Sequence, residues 1–176
     1  MIVDDLKERI SKIKLVILDV DGVMTDGRMV YGNYGDELKF FDAQDGFGIV
    51  LLHRAGIKTA IVSSKKSRIN QKRAKELKVN KIYQKVQDKL KVYQKLLRVY
   101  KLSDPEACFI GDDLIDLPVL KRAGLAVAVK NAVPEAKDAA HYVTEKSGGR
   151  GAVREVTDMI LKSQNKWDAL TERYMR

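Results

Sequence analysis

Short apolar runs rich in β-branched residues recur along the chain, separated by amphipathic segments. The runs are residues 15–20, 58–64, 81–84, 107–112, 125–129 and 141–143. Most of them lack polar–apolar alternation, which is typical of strands buried on both faces of a sheet. Helical periodicity predicts helices from Asp45 to Gly56, over 67–77 and 88–100, from near Asp113, and from about Ala152 through Ile160. The alternation of the two patterns predicts a mainly parallel sheet with right-handed crossovers.

One segment departs from this rhythm. Residues 27–42 contain two short runs around a Gly- and Asn-rich turn, which predicts a β-hairpin inserted after the first strand. About forty residues separate Asp21 from Ser63, and about twenty-five separate Ser63 from Lys89, so neither gap has room for a cap domain. The fold class is therefore α/β: a Rossmann-like three-layer sandwich with an inserted hairpin and no large cap domain.

Length and composition narrow the class of protein. The 176 residues suit one domain, 1–176, with the hairpin at 27–42 and a C-terminal tail at 165–176. No run approaches the roughly 20 apolar residues of a membrane span, and the N-terminal residues do not resemble a secretory signal. We therefore expect a cytoplasmic protein with no membrane partner. The net charge of +9 favours anionic partners, but the lysines form no block with aromatic residues of the kind that binds nucleic acid.

Polar side chains follow four of the predicted strands at the point where each strand ends. Asp19 and Asp21 follow the first strand, Ser63 the second, and Asp112 the fourth, while Lys89 lies in the loop after the third. Ligands of parallel α/β sheets bind beyond the carboxyl ends of the strands. We therefore expect these side chains to converge on one site.

The chemistry of this set indicates phosphoryl transfer. Oxygen ligands without Cys or His suit Mg²⁺, which commonly also binds a phosphate oxygen. An aspartate can attack phosphorus and form an acyl phosphate, which divides one difficult displacement into two easier ones.

Each side chain then receives a predicted role. Asp19 is the nucleophile, and Asp21 protonates the leaving oxygen and later deprotonates water. Asp112 completes the metal site. Lys89 neutralises charge between Asp19 and the phosphate, and Ser63 donates a hydrogen bond to a phosphate oxygen.

The order of these motifs resembles that of the haloacid dehalogenase-like phosphatases. The resemblance rests on "DVDGVMTDG" (19–27), Ser63, Lys89 and "GDDLIDLPVL" (111–120). With "GGRGAVREV" (148–156), the chain is similar more narrowly to the phosphatases of 3-deoxy-D-manno-octulosonate 8-phosphate (KDO 8-phosphate), which serve lipopolysaccharide biosynthesis in Gram-negative bacteria. The resemblance implies Mg²⁺ dependence, a sugar-acid phosphate substrate, and a homo-oligomer, a tetramer, in which the hairpins pack together.

The resemblance also implies ligands residue by residue. The metal is held by Asp19, the main-chain carbonyl of Asp21, and Asp112. Substrate contacts fall on Asp21, Asp42, Ala43, Gln44, Asp45, Gly46, Lys65, Arg73 and Lys89. At Val50 and Lys65 the relatives carry arginine, so the identity of the sugar acid stays open.

Four further residues are candidates near the site, and three of them have two interpretations each. The backbone N–H groups around Gly22 are predicted to form an anion nest. Asp113 either orients Lys89 or the metal, or caps a helix. Asp116 is either a functional contact or a polar helix residue. Arg150, among three glycines, is either an anion contact or part of a helix lead-in.

Three other functions compete with this one. A phospho-accepting receiver domain uses similar groups, but its paired acids come first along the chain rather than last. A basic nucleic-acid-binding protein is favoured by charge alone. Among phosphatases, the nearest alternative substrate is a sialic-acid-type 9-phosphate.

Overall fold

Strands and helices alternate along residues 2–175, the part of the chain that the computed structural model describes, with side chains described from residue 5. Met1 and Arg176, the ends of the predicted domain, lie outside it. The strands are β1 (Leu15–Leu18), β2 (Val30–Tyr31), β3 (Glu37–Leu38), β4 (Lys58–Val62), β5 (Lys81–Tyr83), β6 (Ala107–Gly111), β7 (Leu125–Ala128) and β8 (Tyr142–Val143). The helices are α1 (Ile2–Ser11), α2 (Ala43–Arg54), α3 (Arg68–Glu76), α4 (Lys89–Tyr100), α5 (Leu117–Leu120), α6 (Pro134–Asp138), α7 (Ala152–Ser163) and α8 (Trp167–Thr171). Short 3-10 turns cover 104–106, 114–116 and 172–174.

Six strands form one sheet in the order β5-β4-β1-β6-β7-β8, and every neighbouring pair is parallel. Strand β1 is central: Leu15 pairs with Lys58 of β4 on one side and Ala107 of β6 on the other. All four residues of β1 are buried, as expected for a strand covered on both faces. The predicted sheet is confirmed.

Helices cover both faces of the sheet. The crossover through α2 runs outward from β1 to β4, whereas the crossover through α4 runs back from β5 to β6. Right-handed crossovers in opposite directions lie on opposite faces. The contacts agree, because α1 and α2 pack against α7, and α5 packs against α4 and α6. Within the described residues no helix is long and apolar enough to cross a bilayer.

The inserted hairpin pairs β2 with β3 antiparallel, Val30 opposite Leu38 and Tyr31 opposite Glu37. Its polarity is inverted relative to an ordinary surface hairpin. Leu38 is 53% exposed and Phe40 65% exposed, whereas the side chain of Lys39 is 1% exposed. From Glu37 to Phe40 the charged side chains therefore point toward the protein and the apolar ones away from it.

The sequence patterns missed two helices, left a third open and misplaced one cap. Helices α1 and α6 were not predicted; α6 has only five residues, and α1 is stabilised by packing on α7, which no local pattern reveals. Helix α8 lies in the tail, which the sequence left open as a helix end or a docking arm. Asp42, not Asp45, caps α2: its carboxylate accepts hydrogen bonds from the N–H groups of Gln44 and Asp45.

Candidate active site

A cavity of about 280 Å³ opens at the carboxyl edge of the sheet, where β1, β4 and β6 end. Its lining includes six acidic or hydroxyl residues that follow these strands, together with a basic side chain and residues from the hairpin entrance. The lining residues are Asp19, Asp21, Gly27, Met29, Ser63, Ser64, Lys65, Asp112, Asp113 and Ile115. The structure thus brings together side chains more than ninety positions apart in the sequence.

A buried ion triad forms the floor of this site. Asp19 directly follows β1, and its N–H continues the sheet by donating to the carbonyl of Ile110. The Lys89 ammonium, at the start of α4, lies 2.8 Å from Asp19 Oδ1 and 2.6 Å from Asp116 Oδ1. All three side chains are less than a tenth exposed. Buried charges of this kind persist only when paired, so removing one partner costs about 3–5 kcal/mol.

Asp116 also fixes the loop that follows β6. Its Oδ2 accepts hydrogen bonds from the backbone N–H of Asp112 at 2.9 Å and of Asp113 at 3.3 Å. The residue that contacts Lys89 is therefore Asp116 rather than Asp113. The Asp113 carboxylate is exposed and accepts from the N–H of Leu114, so Asp113 is the N-cap of the 3-10 turn at 114–116.

Asp112 faces the cavity with one carboxylate oxygen unsatisfied. Its Oδ1 is buried and accepts no hydrogen bond from any described residue. Its Oδ2 lies so close to Gly22 that a Cβ there would sit 2.0 Å away, and Gly22 has φ +100°. Both facts require glycine at position 22, because a side chain would strain the backbone and displace the carboxylate.

The electrostatics of the site favour the binding of a cation. Burial, reinforced by the charges of Asp19 and Asp116, raises the pKa of Asp112 to about 8. Burial also raises the pKa of Asp19 to about 6, against the opposing effect of Lys89. Burial alone would lower the pKa of Lys89, but the two carboxylates outweigh it and raise the pKa.

These residues fit a hard divalent cation. One oxygen from each of Asp19, Asp112 and Asp116 lies within 4.8 Å of the others. Asp116 is already saturated by Lys89 and two N–H groups, which leaves Asp19 and the unpartnered oxygen of Asp112 as the carboxylate ligands. An all-oxygen set with room for water suits Mg²⁺.

The Asp21 carboxylate lies at the edge of the cavity, on the side of the hairpin. Its Oδ1 accepts a hydrogen bond from the Lys39 ammonium at 2.5 Å. Ser63 is buried at the end of β4, and its hydroxyl accepts from the N–H of Lys65 at 3.3 Å. Asp21, Ser63 and Lys65 thus surround the opening above Asp19.

Comparison with known proteins agrees with this geometry. The family model for haloacid dehalogenase-like hydrolases matches residues 47–156. The chain is 45% identical to the KDO 8-phosphate phosphatase of Yersinia pestis over 97% of this chain and 91% of that protein. It is 42% identical to the phosphatase of the same name from Escherichia coli strain K12, over 93% of this chain and 87% of that one.

Solved structures give the same result. The phosphatase from Moraxella catarrhalis, solved with magnesium, phosphate and KDO, superposes with a TM-score of 0.95 at 37% identity, covering 97% of this chain and 98% of that one. The chain belongs to the haloacid dehalogenase-like hydrolases. The predicted family is confirmed.

In this hydrolase the implied substrate loop lies apart from the catalytic cavity. Ala43 and Arg73 line a neighbouring cavity of about 420 Å³. The Arg73 guanidinium donates to the carbonyl of Asp42 at 3.2 Å and stacks over Phe41, while its Nε is buried without a described partner. Gln44 is exposed at the start of α2. Of the basic side chains that the resemblance implies as substrate contacts, Lys65 and Lys89 reach the catalytic site within one chain.

Two members of that loop have structural roles in the hydrolase. Asp45 is 3% exposed, and its carboxylate caps the start of α7 by accepting from the N–H groups of Arg154 at 2.7 Å and Gly151 at 3.3 Å. Gly46 is buried where a Cβ would lie 2.3 Å from the Arg73 guanidinium. These positions hold α2, α3 and α7 together beside the cavity.

The glycine-rich loop of the hydrolase packs on the loop that follows β1. A Cβ at Gly148 would lie 1.8 Å from the carbonyl oxygen of Gly22. Asn131, which the sequence analysis missed, bridges the loops by donating to the Gly22 carbonyl and accepting from the Gly148 N–H. Arg150 is 68% exposed at its side chain and lies 4.0 Å from Asp26.

Proposed function

We propose that this hydrolase is a Mg²⁺-dependent phosphomonoesterase that cleaves KDO 8-phosphate into KDO and phosphate. The observation that carries the proposal is Asp19 paired with Lys89 beside the unpartnered oxygen of Asp112, at the carboxyl edge of the sheet. The relatives with the highest identities given above carry this activity in their names. We place the reaction in lipopolysaccharide biosynthesis and in the cytoplasm as part of the same proposal.

In the first half-reaction, Asp19 attacks phosphorus and forms an acyl phosphate as the bond from phosphorus to the sugar oxygen breaks. Asp21 gives a proton to that oxygen, so the sugar acid leaves as an alcohol. Lys89 keeps Asp19 ionised and reduces repulsion between the carboxylate and the phosphate. Ser63 donates its hydroxyl to a phosphate oxygen.

In the second half-reaction, water attacks phosphorus, Asp21 takes the proton from that water, and Asp19 is released with inorganic phosphate. Asp19 and Asp112, with the main-chain carbonyl of Asp21, would hold Mg²⁺, whose positive charge would let the phosphate approach an acidic site. This cation would also lower the pKa values of Asp19 and Asp112, and the nucleophile is active only when ionised.

The substrate assignment has one close alternative. A sialic-acid-type 9-phosphate offers the same phosphate and a similar carboxylate, and Val50 and Lys65 stand where the resemblance expects arginine. A panel of sugar and sugar-acid phosphates assayed for phosphate release with Mg²⁺ decides between them. We expect the highest kcat/KM for KDO 8-phosphate; a higher value for the nine-carbon substrate would reassign the enzyme.

The same assay tests the class of protein. Chelation with EDTA should abolish phosphate release, and added Mg²⁺ should restore it. Full activity after rigorous chelation would remove the metal from the mechanism. A receiver domain would instead retain phosphate on aspartate and show no turnover, and a nucleic-acid-binding protein would release none.

We further propose that the hydrolase assembles as a tetramer through the hairpins. Val30 and Leu38, which pair with each other, are exposed on the outward face of the hairpin, and Phe40 next to it is 65% exposed. Residues 2–175 contain no cap domain over the cavity, so a neighbouring copy is the simplest wall for a water-excluding site. Light scattering should give four chains per particle. An active monomer at assay concentration would contradict the proposal.

A further inference from the structure

The hairpin inserts one charged side chain into the edge of the catalytic site. Lys39 follows β3, and its ammonium lies 2.5 Å from Asp21 Oδ1 and 3.4 Å from Glu37 Oε1. Its side chain is 1% exposed, although lysine is among the residues most rarely buried. A buried ammonium is tolerated only with such partners, so the sequence keeps a cation here at an energetic cost.

A second carboxylate, that of Glu37, also holds the Lys39 ammonium in place. Glu37, which contacts Lys39 through Oε1, accepts a hydrogen bond through Oε2 from the Ser67 hydroxyl at 2.8 Å. Ser67 is buried and is the N-cap of α3, where its hydroxyl accepts from the N–H of Asn70. A continuous chain of polar contacts therefore connects the start of α3 to the Asp21 carboxylate through the hairpin.

This contact distinguishes the two oxygens of Asp21. Oδ1 accepts from the Lys39 ammonium, and the side-chain contacts described for residues 5–175 give Oδ2 no such partner. Asp21 lines the catalytic cavity, whereas Lys39 lines the neighbouring one. Because the ammonium repels a proton on Oδ1, the proton that Asp21 exchanges is carried more favourably by Oδ2.

We propose that Lys39 is a positioning residue that holds the Asp21 carboxylate so that Oδ2 faces the oxygen of the leaving group. The inference rests on the proposed function, in which Asp21 is the acid. It makes docking of the hairpin a condition for proton transfer: when the hairpin is out of place, Asp21 loses the contact that fixes it.

The dependence on leaving group separates this role from a merely structural one. An alkyl phosphate needs its leaving oxygen protonated, whereas p-nitrophenolate leaves without a proton. A misplaced acid therefore slows the alkyl phosphate much more than the aryl phosphate, whereas a distorted or partly unfolded site slows both alike. The value of kcat/KM reports the first half-reaction, in which the leaving group departs.

The experiment compares Lys39→Met with wild type on KDO 8-phosphate and on p-nitrophenyl phosphate, with Mg²⁺ present. We expect kcat/KM to fall roughly 10- to 100-fold for the sugar phosphate and less than about threefold for the aryl phosphate. Lys39→Arg, which keeps the cation, should recover much of the loss. Lys58→Met makes the same change at an exposed lysine at the opposite edge of the sheet and should leave both values unchanged.

Equal losses on the two substrates, or a Lys39→Met enzyme with wild-type kinetics, would overturn the inference. If Lys39→Met does not fold, Glu37→Gln replaces it, because the amide keeps an acceptor for Ser67 and removes the charge beside Lys39. It should show the same preference for the aryl substrate at smaller magnitude, and equal losses there would also overturn the inference. A wild-type protein inactive on both substrates would instead refute the proposed function.

Discussion

Replacing Asp112 with asparagine should stabilise the metal-free protein while it destroys activity. The pKa of Asp112 rises from 3.8 to about 8 in the folded chain because of burial and the neighbouring charges of Asp19 and Asp116. When the pKa of an acid is higher in the folded state, the folded chain binds more protons than the unfolded chain at every pH between the two pKa values. The free energy of unfolding therefore falls as pH rises from about 4 to about 8.

The magnitude follows from the same values. Taken in full, the rise in pKa would lower the free energy of unfolding by roughly 5–6 kcal/mol at pH 8, because each pKa unit corresponds to about 1.4 kcal/mol. Asp112 is only partly buried and its neighbours can relax, so we expect about half of this, ~2–4 kcal/mol. Asparagine keeps the shape and carries no charge, so the variant avoids this penalty.

Urea unfolding in EDTA measures the effect. At pH 8, Asp112→Asn should unfold at higher urea than wild type, and the difference should shrink to about 1 kcal/mol or less at pH 5, where wild-type Asp112 is largely protonated. Mg²⁺ stabilises only the protein that binds it, here the wild type, by about 2.7 kcal/mol when its concentration is 100 times Kd. Added Mg²⁺ should therefore narrow or reverse the difference in unfolding free energy between the variant and the wild type.

The matched control is the neighbouring Asp113→Asn. Asp113 is an exposed N-cap, and asparagine caps as well as aspartate, so the change should stay within about 0.5 kcal/mol. If Asp112→Asn were less stable than wild type at pH 8 in EDTA, the carboxylate would be stabilising the fold. The interpretation of its unpartnered oxygen as a metal ligand would then be wrong.

Two further predictions concern the nucleophile and the helix cap. Asp19→Asn should lower kcat by more than about 10⁴-fold while circular dichroism stays that of the wild type, because the amide cannot form the acyl phosphate; retained turnover would mean that another residue attacks. Asp45→Ala should lower the free energy of unfolding by about 1–2 kcal/mol in urea, because the N–H groups of Gly151 and Arg154 lose their acceptor. An unchanged midpoint would show that water replaces the carboxylate without cost.

The sheet and the floor of the site follow from rules that act locally or at the level of topology. Apolar runs of four to six residues fix the strands, and parallel strands place their carboxyl ends at one edge. Asp19, Ser63 and Asp112 could therefore be assembled from strand ends alone. Helix α1 could not be assigned in this way, because its packing on α7 joins segments at opposite ends of the chain.

The residues that sequence reasoning misassigned or left open act across long distances in the chain. Asp45 appears at the start of α2, where an acid is favourable for that helix, yet it caps α7 more than a hundred positions later. Asp116 looks like a helix residue three positions past Asp113, and only the fold shows that its two oxygens face Lys89 and the loop after β6. Spacing within one segment does not reveal which distant backbone will meet a carboxylate.

The hairpin did carry a usable signal. In Glu37-Leu38-Lys39-Phe40 charged and apolar residues alternate, so one face of the strand is charged and the other apolar. An isolated hairpin would turn the charged face to water. Here Leu38 and Phe40 face outward and Lys39 is buried, which is unfavourable for both sets of side chains in a lone chain. Such an arrangement is stable only if the charged face meets carboxylates and the apolar face meets another protein surface. The inward partner is Asp21, and the outward one, in the proposed tetramer, is the hairpin of a second copy.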